Sequence, residues 1–173
     1  MELYNAETLA ISLMSQHGLI ADGWRFEWDR GLRRFGCCHY GSKKITLSAH
    51  IARLNDEANI RDTILHEMAH ALVGRGHHHN YVWKAKCREI GANPERCYDG
   101  NEVTAPVARY VAHCPDCGKV FFQHRLGKKS NNHFCKHCYS IYVDGRQYVK
   151  GKLTYVLNVN GIRRPEKLEE VEA

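Results

Sequence analysis

Long apolar runs are missing from this chain. Nothing in its 173 residues approaches the roughly 18 consecutive apolar residues that cross a bilayer, so no segment reads as a membrane span. The opening stretch MELYNAETLAISLMSQ lacks a basic start followed by an apolar core, and so does not read as a secretory leader. Low-complexity tracts and internal repeats are also absent. What remains is an ordinary globular composition, 43% hydrophobic and 25% charged, enough for one domain with a small appendage. With no export signal the expected compartment is the cytoplasm. There, eight cysteines point to metal binding rather than disulfides.

Charge is uneven along the chain. Residues 1–104 carry thirteen basic and thirteen acidic side chains. Residues 105–155 carry nine basic groups against Asp116 and Asp144, a net of +7. The neutral and basic parts meet near NEVTAPVA.

Periodicity predicts a helix over residues 3–17 and a strand around Trp24, Phe26 and Trp28, with a turn at Asp29-Arg30-Gly31. A second strand is expected near Arg34–Tyr40, a turn at Gly41–Lys44, and a short strand over Ile45–Ser48. Helical patterns follow at about Ile60–Val73, stopped by Gly74 and Gly76, and at about Asn80–Ile90, stopped by Gly91. Beyond Pro106 the segments are short, strand-like and rich in turns.

His66-Glu67-Met68-Ala69-His70 is an HExxH motif inside the strongest helical pattern. Two histidines four apart share one helix face, so both imidazoles can reach one zinc. Glu67 is then placed to take a proton from water acidified by the metal. A catalytic zinc usually takes a third protein ligand. Gly76 stands where the pattern HExxHxxGxxH needs its last histidine, which excludes that class. Local reasoning favours His79, beside the predicted start of the next helix. It leaves open Glu89, 19 residues after His70, and the loop histidines His77 and His78.

Cys114, Cys117, Cys135 and Cys138 form C-x2-C-x17-C-x2-C, two knuckles that present four thiolates to one structural zinc. Cys37, Cys38, Cys87 and Cys97 lack that spacing and read as small core residues. Within and after the knuckles, VFFQHRLGKKSNNHF and YSIYVDGRQYVKGK interleave aromatics with Arg125, Lys128, Lys129 and other basic residues; Lys136 lies inside the second knuckle. This pattern suits a phosphate backbone with unpaired bases stacked on rings, so single-stranded DNA is the expected partner.

The two motifs, in this order and at this distance, resemble the SprT-like (Spartan-type) zinc metalloprotease family. The likeness covers roughly residues 5–155. It is carried by ITLS, RDTILHEMAHALVG, HNYVWKAKCREIGA and the paired CxxC. In the family the third zinc ligand opens a segment H-G-P-E-F, here His79-Asn80-Tyr81-Val82-Trp83, so the resemblance implies His79 in that role. It further implies a DNA-dependent protease that digests proteins crosslinked to DNA, with the ribbon contributing to DNA contact. The short stretch after the ribbon leaves no room for the ubiquitin-binding and clamp-binding tails of the animal proteins. The expectation is therefore a bacterial or phage member, monomeric and acting in the cytoplasm.

The combined expectation is an α+β protein. A zincin-like metalloprotease core of helices and a small antiparallel sheet spans residues 1–104. A β-rich zinc ribbon follows at 105–158, then a tail at 159–173. Two zinc ions are expected, one catalytic on His66, His70 and His79, with Glu67 as general base, and one structural on the four cysteines. Tyr81 and nearby arginines are candidates for stabilising the oxyanion. Two other classes remain: a non-catalytic nucleic-acid-binding ribbon protein with a dormant HExxH, and a zinc hydrolase of RNA or a small molecule. Intact Glu67 speaks against the first. A deformylase-like cysteine ligand, Cys37 or Cys38, fits its flanking sequence poorly.

Overall fold

The buried stripe of one helix organises the first part of the chain. In the computed structural model, which describes residues 1–95, 103–139, 141–143, 146–148 and 150–162, this helix runs Glu57–Val73. The Asp56 side chain starts it by accepting the Asn59 N–H at 2.9 Å, and Gly74, at φ +79°, ends it. The cap sets the first turn three residues ahead of Ile60. Glu57, Ala58 and Asn59 carry little apolar signal, so periodicity alone does not see them. Ile60, Ile64, Leu65 and Met68 are all buried. Each contributes about 1.5–3 kcal/mol by leaving water.

The elements before it are α1 (Leu3–Gln16), β1 (Arg25–Asp29), β2 (Gly36–His39), β3 (Lys44–Ser48) and the single turn α2 (Ala49–Ala52), so Glu57–Val73 is α3; α4 (Tyr81–Ile90) follows it. α3 packs against α1, α4, β2 and β3, at the centre of one apolar cluster. The chain divides into two compact units, Met1–Pro106 and Val107–Ala173.

The sheet of the first unit departs from expectation: it is mixed, not antiparallel. Its order is β1-β3-β2, with β1 parallel and β2 antiparallel to β3. Lys44-Ile-Thr-Leu-Ser48 is covered almost throughout and therefore takes the centre. No hairpin joins β1 to β2. The Asp29 carboxylate instead accepts the Gly31 N–H at 2.6 Å, a local turn that redirects the chain so that β2 pairs on the far side of β3. The expected turn at Gly41–Lys44 is a 3-10 turn, Tyr40–Ser42, closed by Lys43 in the left-handed region. Helix α2 gave no signal because four residues are too few for a period; the Ser48 side chain caps it, accepting the Ile51 N–H at 3.1 Å.

The second unit is β-rich. β4 (Tyr110–His113), β5 (Val120–Gln123) and β8 (Val156–Leu157) form an antiparallel sheet of order β5-β4-β8, while β6 (Ile141–Val143) and β7 (Arg146–Tyr148) form a two-stranded ladder. Its cores are small. One consists of Ala112, Leu153, Cys114, Cys135 and Cys138, the other of Ala108, Val111 and Phe122. Among the described residues no helix is long and apolar enough to cross a membrane. Cys97 and part of the aromatic-basic stretch after Cys138 lie outside the described residues.

One buried polar side chain ties the end of the first unit to its core. Asn55 Nδ2 donates to Ile51 O (2.7 Å) and Thr104 O (2.8 Å), and its Oδ1 accepts the Thr104 N–H at 2.8 Å. Asn55→Ala removes both bonds to the main chain of exposed Thr104 and the buried bond to Ile51 O. It is expected to lower stability by about 1–3 kcal/mol, read from the urea midpoint.

Candidate metal centres

Helix α3 sets His66 and His70 one turn apart on one face. The third imidazole arrives from the turn before α4. There Asn80 caps the helix, its Oδ1 accepting the N–H groups of Val82 at 3.0 Å and Trp83 at 3.3 Å. The residue just before this cap, His79, is thereby anchored. Its Nε2 lies 3.2 Å from Nε2 of His70 and 3.2 Å from Nε2 of His66. One donor atom from each of the three rings falls within 4.8 Å of the others.

These distances suit zinc. Tetrahedral bonds of about 2.0 Å place neighbouring nitrogens roughly 3.3 Å apart. The protonation state suits it too. Burial, reinforced by the neighbouring imidazoles, pulls His66 and His70 down to about 4, so both rings are neutral at pH 7. A neutral ring offers a lone pair to a metal.

Glu67 lies between these ligand candidates in sequence and is 8% exposed. Burial pushes its carboxyl up to about 7, against the Cys38 main-chain N–H and the Arg34 guanidinium, which both favour the carboxylate. The strand β2 approaches so closely that a Cβ on Gly36 would stand 2.9 Å from Glu67 Oε1 and 2.8 Å from its Cγ. Gly36 and Arg34 were not singled out from sequence. The glycine within a strand was the available signal, since it marks a close approach.

The other third-ligand candidates are not in the cluster. Glu89 pairs with Lys86 at 2.6 Å and is exposed. His77 and His78 occupy the turn outside it, His78 at φ +38°. Tyr81 is 82% exposed at the start of α4. Cys38 packs against the apolar core, and burial raises its thiol to about 12. Cys87 is fully buried.

The four knuckle cysteines form the second cluster. Cys114 Sγ lies 3.9 Å from Cys138 Sγ, and Cys117 Sγ 3.6 Å from Cys135 Sγ. A tetrahedral zinc with bonds of about 2.3 Å sets sulfurs roughly 3.8 Å apart. Main-chain bonds shape the knuckles: the Gly118 N–H donates to Cys114 O at 2.9 Å and the Cys138 N–H to Cys135 O at 2.9 Å. Gly151 closes the site. The Cys135 N–H donates to Gly151 O (2.7 Å), and the Gly151 N–H donates to Asp116 Oδ2 (2.6 Å), linking both knuckles. Arg125, Lys128, Lys129 and Lys136 are all exposed on this unit.

Two predictions follow from these environments. Between about 4.5 and 7 the folded protein keeps a proton on Glu67 that the unfolded chain has released. Glu67 taken alone therefore costs metal-free protein stability as pH rises through that window, against the gain from His66 and His70, whose lowered values make stability rise between about 4 and 6.5. Glu67→Gln removes this penalty. In chelator, the variant should match wild type near pH 4 and exceed it by up to roughly 3 kcal/mol at pH 8, measured by urea unfolding.

Gly151 sits at φ +74°, and a Cβ there would stand 2.9 Å from the Cβ atoms of both Cys135 and Cys138. Gly151→Ala should open the four-thiol site. Zinc counted by atomic absorption should fall by one ion per chain, with the first unit still folded by circular dichroism.

A model of the SprT-like family matches residues 8–105. Among curated relatives, Protein SprT of Pseudomonas putida is 26% identical over 122 residues, covering 64% of this chain and 74% of its own length. Protein SprT of Pseudomonas paraeruginosa is 27% identical over 117 residues, covering 61% and 71%. No solved structure matches the chain.

Proposed function

The chain belongs to the SprT-like family, and from that premise we propose that it is a zinc-dependent endopeptidase, stimulated by DNA and acting on DNA-bound or DNA-crosslinked proteins. The observation that carries the reading is the convergence of three imidazole nitrogens, two of them on the helix that also buries the Glu67 carboxyl. His66, His70 and His79 would hold the catalytic zinc, leaving a position open for water or substrate. Cys114, Cys117, Cys135 and Cys138 would hold a closed structural site. A zinc ion on the three histidines would supply Lewis acidity to the scissile carbonyl and to the attacking water.

The chain's own chemistry then centres on Glu67. A buried carboxyl whose charged form is disfavoured in the metal-free site, placed beside the attacking water, can accept a proton and return it. Its carboxylate takes the proton of the attacking water as the new carbon–oxygen bond forms. It then gives that proton to the departing amine nitrogen as the carbon–nitrogen bond breaks. The Cys38 N–H and the close wall at Gly36 hold the carboxyl in place during this exchange.

The DNA part rests on charge. Residues 105–155 carry a net +7, and Arg125, Lys128, Lys129 and Lys136 are exposed. About four to five phosphate contacts on a single strand give a slope of log K against log salt near −3. Stacking on aromatic rings favours unpaired bases by about 1–3 kcal/mol each.

The test is digestion of casein and histone across a salt series with single-stranded DNA, duplex DNA or neither. Single-stranded DNA should stimulate most. Replacing Lys128 and Lys129 together by Ala should reduce binding and stimulation but leave cleavage of a short free peptide unchanged. Glu67→Gln should retain two zinc ions per chain and lose all cleavage. Equal rates in all three arms at low salt would remove DNA from the reading; cleavage by Glu67→Gln would remove the assigned base.

A further inference from the structure

Trp83 is the largest side chain the first unit buries completely, and it lies under the whole histidine cluster. Its ring is stacked on His70, with centroids 5.2 Å apart and planes 26° apart. It stands edge-to-face with His66 at 4.7 Å and 64°, and with His79 at 4.5 Å and 87°. One indole therefore touches all three candidate ligands. Its Nε1–H is buried without a hydrogen-bond partner among the described residues.

Histidines that hold a metal are usually oriented by a hydrogen bond from the second ring nitrogen to a carboxylate or carbonyl. Here His66 and His70 make hydrogen-bond-range contacts through Nε2 alone, and only with His79. No other described group partners them. The indole contacts both of those rings, and helix α4 holds it: the Asn80 side chain that anchors the turn bearing His79 also accepts the Trp83 N–H. One capping interaction thus ties His79 and the aromatic floor into a single local structure.

We propose that Trp83 is the positioning residue of the histidine centre, its ring faces taking the orienting role that hydrogen bonds fill in most histidine metal sites. This deepens the reading of His66, His70 and His79 as metal ligands and rests on it. Three imidazoles around a divalent cation carry net positive charge, and an aromatic face attracts such charge. The indole would therefore favour the loaded cluster as well as ordering the empty one.

The test compares wild type, Trp83→Phe and Trp83→Met. Phe keeps an aromatic face. Met fills the space flexibly without one. Zinc affinity of the histidine centre is measured by competition with a chromophoric chelator, with the four-cysteine centre as an internal control. The expected loss in Trp83→Met is about 10–100-fold, typical for removing a group that orients a ligand. Trp83→Phe should recover most of that loss, and the cysteine centre should be unchanged in both. The cobalt-loaded Met variant should show an altered visible absorption band. A second measurement needs no variant. In metal-free wild type, the carbon-bound protons of the His66 and His79 rings should show indole ring-current shifts in the NMR spectrum, and the rings should keep their orientation when zinc is added.

Equal affinities in all three proteins overturn the proposal, as does an equal loss in Phe and Met. Imidazole resonances at random-coil positions in the metal-free protein overturn it too. If wild type binds no zinc at the histidines, the ligand reading fails instead, which is a separate result.

Discussion

The first unit brings three half-buried imidazoles together, with a buried carboxyl, Glu67, on the same helix as two of them. Burial disfavours charge on His66, His70 and Glu67: it lowers the two histidines and raises the glutamate. An apolar core would be more stable without such groups. Their neighbourhood is arranged around them nonetheless. α3 gives its apolar residues to the core and carries His66, Glu67 and His70 between them. The Asn80 cap fixes the turn that carries His79, and β2 gives up a side chain at Gly36 so that the Glu67 carboxyl fits against its backbone. Each feature is local and inexpensive by itself. Their coincidence around one point is what a metal centre requires.

The second unit reverses the relation between core and site. Three of its four knuckle cysteines belong to its own small apolar cluster, with Ala112 and Leu153 as the other buried members. Among the described residues of this unit few apolar groups are buried, and metal coordination would add folding energy to a unit of this kind. Gly151 shows how tightly the thiols are enclosed. Its hydrogen bonds reach both knuckles, and its missing side chain leaves the space occupied by two cysteine Cβ atoms.

Much of this was legible in the sequence because the signals are short in range. HExxH depends only on the rise of one helical turn, and CxxC only on the reach of one tight knuckle. The family resemblance drawn from those motifs is borne out by the family match over residues 8–105. The helices α3 and α4 were legible from apolar periodicity and their terminal glycines. Less visible were features set by distant partners. The parallel pairing of β1 with β3 cannot be read from strands that look ready to form a hairpin. Helix α2 is a single turn held by the Ser48 cap. Gly36 and Gly151 matter because of what approaches them, and the approaching residues lie 31 and at most 16 positions away in sequence. Trp83 stood in the motif segment as an aromatic, but its three imidazole contacts exist only once α3 and α4 pack.

The two centres differ in what would remain without their metal. Around the histidines, Ile60, Ile64, Leu65, Met68 and Ala69 are buried in one apolar cluster that does not include the histidines themselves. An ion lost from the histidines would leave that apolar cluster in place. Around the cysteines, the ligands are themselves core residues, so loss of the ion leaves thiols packed against thiols. Their titration is coupled to that packing. Cys114 is drawn down to about 7 as the N–H groups of Cys117 and Asp116 outweigh its burial, while contact with the other cysteine sulfurs, Cys117 first, pushes Cys138 up to about 12. Four such sulfurs cannot all ionise at neutral pH without a cation among them, whereas the neutral imidazoles need none. Three converging nitrogens leave room for a further ligand on an ion held there, whereas four sulfurs complete a tetrahedral set.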